Sequence, residues 1–162
     1  MSDELDRFLK LMPRSRDLTL IVLKGHLLVE EAVNDLLSTL LKNPEALRQA
    51  TLSFYQRLKL LQALGFVSDR ELSSAEKLNN LRNRFAHTLE PQDTEVLIRR
   101  FLADWESDEV AEYEWEQKSI QVRLKNCLSY LVASLYGVRK GVLTVKELEA
   151  QEREARKTKR GD

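Results

Sequence analysis

The stretch DLTLIVLKGHLLVEEAVNDLLSTLLK, residues 17 to 42, constrains the fold more than any other part of the chain. Leu18, Ile21, Val22, Leu28, Val29, Ala32, Val33, Leu36, Leu37, Leu40 and Leu41 recur three and four apart, the period of an α-helix. In its first half the apolar residues lie nearly all round, so the helix cannot rest one stripe on a surface and needs cover on several sides. This predicts a central buried helix enclosed by other helices. The run LTLIVL is interrupted at Lys24 and His26, far short of the roughly 20 apolar residues that span a bilayer.

The rest of the chain supplies such cover. Leu5, Phe8, Leu9 and Met12 mark a short amphipathic helix stopped by Pro13, expected to pack as a strap. Asn43 and Pro44 end the central helix, and a short piece around EALRQA leads into SFYQRLKLLQALG, where Phe54, Leu58, Leu61 and Leu64 share a face and Gly65 caps the end. Ser68 with Glu71, and Ser73 with Glu76, are two capping-box patterns, either of which could start the next helix, which runs to about Thr88 before Pro91. Asp93 precedes a short amphipathic piece with Val96, Leu97, Phe101 and Leu102. A long final bundle helix is expected from about Ser119 to Arg139, with Ile120, Leu124, Leu128, Leu131, Leu135 and Val138 inward.

Between these lies DWESDEVAEYEWE, with seven carboxylates and the aromatics Trp105, Tyr113 and Trp115, read as a solvated loop whose aromatics rest on the bundle. From Thr144 a further capping box to Glu147 opens a tail ending EREARKTKRGD, a charged helical end or an arm that touches RNA. The chain thus divides into a single helical domain over 1 to 143 and a charged helical tail over 144 to 162. With only five Gly and three Pro in 162 residues, the expected class is all-α, an up-and-down bundle of four to five main helices.

Formal net charge is zero, so no global field draws the chain to nucleic acid or anionic membrane. The single Cys127 has no partner thiol, no metal cluster is evident, and no cofactor is expected. His26, with only Glu30 at i+4, reads as a satisfied helix histidine rather than a ligand. The charged N-terminus carries no secretion pattern, and a cytoplasmic protein without membrane contact is expected.

The chemistry concentrates in LNNLRNRFAHTL, residues 78 to 89. At 100° per residue, Leu81, Phe85 and Leu89 fall within about 60° of Leu78, while Asn80, Asn83 and His87 lie at about 200°, 140° and 180°. The apolar residues build core and the others face outward. Arg82, near 40°, sits at the shoulder of the buried stripe, so its guanidinium must reach round the helix to join His87. Histidine can move a proton near neutrality and arginine can hold a phosphate in its transition state, with an adjacent Asn orienting either.

The segment Arg82-Asn83-Arg84-Phe85-Ala86-His87, late in a helix of an all-α chain, resembles the Arg-Asn-x-x-x-His motif of HEPN domains, which are helical bundles. LLVEEAVNDLL at 27 to 37 and RLKLLQALGFVSDRE at 57 to 71 add a likeness in order and spacing to the mannitol operon repressor family, over about residues 17 to 90. The ribonuclease branch of HEPN implies a metal-independent endoribonuclease of toxin or phage-defence type, whose two motifs meet across a homodimer interface. Arg82 and His87 would then carry the chemistry and Asn83 would support them, with RNA as substrate and an antitoxin as a partner. Where some HEPN toxins carry a Tyr two residues after the His, this chain has Leu89, which departs from control by adenylylation. The mannitol-repressor likeness implies the rival reading, a non-catalytic regulator or protein-interaction module, to which zero net charge and the acidic segment are well suited.

Overall fold

The computed structural model describes residues 3 to 87, 93 to 106 and 117 to 158, and all regular structure among them is helical. The helices are α1 (Asp3–Leu11), α2 (Leu18–Leu40), α3 (Pro44–Gln49), α4 (Phe54–Leu64), α5 (Asp69–His87), α6 (Thr94–Glu106) and α7 (Ile120–Thr158). Five of them, α2 and α4 to α7, are the main helices of the expected bundle. The acidic segment falls largely outside the described residues. Its first three positions belong to α6, and Trp105 is buried there with its ring edge-on to Tyr130 and Arg70 lying over it.

α2 is the central element. Its N-cap Asp17 accepts a hydrogen bond from the Leu20 amide, and ten of its residues are buried over about half of its circumference; Leu20 and Leu27, on the other side, are exposed, so the helix is not enclosed all round as its apolar first half predicts. α2 and α7 run side by side in the same direction: Gly25 meets Leu128, Asp35 meets Tyr136 and Thr39 meets Arg139. α5 runs the other way, with Asn79 against His26 and Glu71 against Ser134. Burial explains this order, because fully burying each of Ile21, Leu36, Leu37, Leu78, Leu124 and Leu128 contributes about 1.5–3 kcal/mol. α1 packs against α7, with Phe8 and, just past its end, Met12 buried; Leu9, expected on the same face, is exposed.

Local chemistry sets the helix ends. Ser53 and Gln56 form a capping box at α4, and Gly65 closes that helix at φ 72°. Of the two starts offered for α5, Ser68 is used: its Oγ accepts from the Glu71 amide at 3.3 Å, and the Glu71 carboxylate accepts from the Ser68 amide at 3.1 Å. The same carboxylate accepts the Ser134 hydroxyl of α7, tying the first turn of α5 to the bundle. Burial alone would raise the Glu71 pKa, but the bonds from Ser134 and Ser68 outweigh it and hold the group below the usual carboxylate value. Glu71→Ala should therefore cost about 1–2 kcal/mol, and Glu71→Gln, which keeps an acceptor, less. Urea midpoints of the two variants equal to that of the parent would remove Glu71 from this account.

The end of α7 departs from expectation. Thr144 does not begin a new helix; its Oγ1 donates to the Lys140 carbonyl at 3.1 Å and the helix passes straight through. The 39 residues of α7 extend about 58 Å at 1.5 Å each, well past the end of α2. Lys146 still reaches the Thr39 carbonyl, but every residue from Leu143 to Lys157 is exposed.

Candidate functional site

α5 presents the candidate residues along one side. Leu78, Leu81 and Phe85 are buried as the helical count requires, which fixes the rotation of the helix and turns Asn80, Arg84 and His87 into solvent. Arg82 and Asn83 are half-buried. The guanidinium of Arg82 does reach round the helix, but it stops at its neighbour: Nη1 donates to Asn83 Oδ1 at 3.1 Å. His87 stands exposed in the last turn of α5. Among the described residues no hydrogen bond joins His87 to Arg82 or Asn83. One chain thus brings two of the three residues together and leaves the third separate.

Behind Arg82 lies a polar group whose members are far apart in the sequence. His26 of α2 is 3% exposed, and its Nε2 donates to Asn79 Oδ1 of α5 at 3.1 Å. That bond puts the ring proton on Nε2 and leaves Nδ1 as a buried acceptor with no hydrogen-bond partner, 3.8 Å from the Glu30 carboxylate. The ring also meets Phe54 edge-on, with centroids 4.7 Å apart. Burial pushes the His26 pKa down; Asn79 and Glu30 pull it up, and the charge of Arg82 adds to the downward push. The signal available in the sequence was Asn79 itself, at about 100° from Leu78 and so at the edge of the core. Nothing in spacing alone links it to a histidine 53 residues away.

A second polar network joins α2 to α7. The Tyr136 hydroxyl donates to Asp35 at 3.3 Å, and Arg7 of α1 pairs with Glu31 at 3.0 Å. Burial, with the charges of Asp35 and Glu31, pushes the Tyr136 pKa up to about 12, so the phenol stays protonated and acts as a structural donor. Among the described residues no group of three His, Cys, Asp or Glu side chains is placed to hold a metal ion, and no helix is long and apolar enough to cross a membrane. Cys127 is buried.

No protein-family model matches the sequence, and no curated protein matches it. The structure is similar to a chain in the X-ray structure of the MtlR-HPr complex from Escherichia coli, with a TM-score of 0.62 and 18% identity, covering 83% of this chain and 99% of that one. At that identity the likeness establishes the helical bundle.

Proposed function

We propose that this protein is a non-catalytic regulator that works in the cytoplasm by docking another protein, in the manner of a mannitol operon repressor. The observation that carries the reading is the match along 99% of a chain from a complex of MtlR with HPr, a protein partner. The candidate motif is compatible with it. Arg82 is held to Asn83 beside the buried His26–Asn79 pair, an arrangement that braces α5 against α2, and His87 is left on the surface. The test is a calorimetric titration of the full chain with an HPr protein. Binding at about micromolar Kd, with no loss in His87→Ala, is the expected result. No detectable heat at tenfold higher concentration would count against HPr as the partner.

One observation favours a second reading, a composite ribonuclease. Arg82 and Asn83 are joined at 3.1 Å and His87 is free to meet another chain. In that reading a ribose 2′-hydroxyl attacks the adjacent phosphate, His87 moves the proton, and Arg82 stabilises the charge on phosphorus. Incubation of mixed RNA with the protein in EDTA separates the two. The regulator leaves the RNA intact; the nuclease yields 2′,3′-cyclic phosphate ends that vanish in both His87→Ala and Arg82→Ala.

A further inference from the structure

The side of α2 that its neighbours leave uncovered is rich in leucine. Leu27 is 60% exposed and Leu20 36%, and at 100° per residue they fall within about 20° of each other, a line about 10 Å long. Half-buried Leu23 stands beside that line. α1 extends the patch. Its Arg7 pairs with Glu31 of α2, and just past its end the Pro13 carbonyl accepts from Lys125 near the start of α7, so α1 runs antiparallel to α2. One turn from the Arg7–Glu31 pair in each helix, Leu11 comes level with Leu27, and Leu11 is 42% exposed. Leucines exposed singly are ordinary, but these share one face, as at a docking surface.

Cations rim the patch. The turn between α1 and α2 is held to α7 through its carbonyls, Pro13 accepting from Lys125 and Arg16 from Gln121, and the side chains of Arg14 and Arg16 are exposed at the end of this face. Lys24 is exposed between Leu20 and Leu27. Among the described residues, the side chains of Arg14, Arg16 and Lys24 make no hydrogen bond or ion pair. The carboxylates nearby are engaged: Asp17 caps α2, Glu31 holds Arg7, and Glu30 lies 3.8 Å from the His26 ring.

We infer that this face docks an acidic amphipathic helix of a partner protein, with apolar side chains on Leu11, Leu20 and Leu27 and carboxylates over Arg14, Arg16 and Lys24. Helical anchors at i, i+3 or i+4, and i+7 span about 10 Å, the length of the Leu20–Leu27 line. Charge selects the occupant. A second copy meeting this face about a two-fold axis sets cations against cations. Nucleic acid matches the cations but leaves the leucines between them without apolar contact. The inference goes beyond the regulator reading and does not depend on HPr being the partner.

The test is fluorescence anisotropy of a labelled helical peptide of about 18 residues, Leu along one face and Glu elsewhere, titrated with the full chain. The parent should bind it with a Kd of about 10–100 μM, and the same peptide with Lys in place of Glu should bind at least tenfold more weakly. Leu27→Glu, on an exposed position, should weaken binding at least tenfold while circular dichroism stays helical. Lys24→Glu should weaken it several-fold, more at low salt. Val145→Glu, on the exposed end of α7, should leave it unchanged. A parent that shows no binding at about 1 mM overturns the inference. So does binding that survives both Leu27→Glu and Lys24→Glu, and its loss in Val145→Glu would place the peptide on α7 instead. Sedimentation of the parent with phosphatidylcholine–phosphatidylserine vesicles, lost in Lys24→Glu, would reassign the face to a membrane surface and overturn the protein partner.

Discussion

Gly25→Val should be among the most damaging single substitutions in this protein, lowering stability by about 2–4 kcal/mol. A Cβ at Gly25 would stand 2.5 Å from Leu128 Cδ1 and 3.1 Å from its Cδ2, and Leu128 is fully buried between α2 and α7. The side chain could swing aside in a loose site, but here its neighbours include the centre of the core. Gly25→Ala sets the same clash against a helix-propensity gain of about 1 kcal/mol, so its net cost is smaller. Leu128→Ala alone should cost about 2–5 kcal/mol by opening a cavity. The double variant Gly25→Ala with Leu128→Ala should then be more stable than Leu128→Ala, since the clash is gone and the propensity gain remains. Urea unfolding of the four proteins checks this, and simple additivity of the two single costs would show that Gly25 and Leu128 do not share the contact.

The second large effect is on acid stability. The folded-state pKa of His26 is lowered by burial, against the pull of Asn79 and Glu30 and with the push of Arg82. The unfolded chain therefore takes up this proton first as pH falls. The neutral ring's contribution is fully present above about pH 6.5, the unfolded value, and is lost progressively below it until the folded ring also titrates. Within that window the slope is at most about 1.4 kcal/mol per pH unit for this one group. His26→Gln, which keeps a donor toward Asn79 but does not titrate, should remove the slope. Denaturant unfolding at pH 7.5, 6.5 and 5.5 reads it directly. Parallel pH profiles for the parent and the Gln variant would show that the ring titrates equally in both states. The loss due to Glu71 falls lower, as pH drops through its depressed folded value, so the two groups act in separate ranges.

The candidate site was legible only in part. The helical count from Leu78 correctly put Leu81 and Phe85 in the core and His87 in solvent, because rotation about a helix axis is fixed by 100° per residue and by the buried stripe. It also placed Arg82 at the shoulder, from which its long side chain had to turn. Where that side chain stops is a matter of local competition: Asn83 offers an acceptor one residue away, while His87 is about 140° farther round the helix. His26, expected as a satisfied helix histidine, has its hydrogen-bond partner on one nitrogen only.

The sequence by itself determined the helices and several of their ends. An apolar period of 3.6, a serine with its glutamate three residues on, and a glycine at a left-handed turn are local features that few residues decide. It also determined that α2 would be central, since so long an apolar period must be buried, but not that Leu20 and Leu27 would stay outside. Only the tertiary structure decided that Gly25 admits Leu128, that His26 meets Asn79, and that Glu71 holds α7 as well as its own cap. The physical reason is range. Caps and periods are settled within one or two turns, whereas these contacts join residues 53 to about 100 positions apart, and which pairs meet follows from how the helices pack.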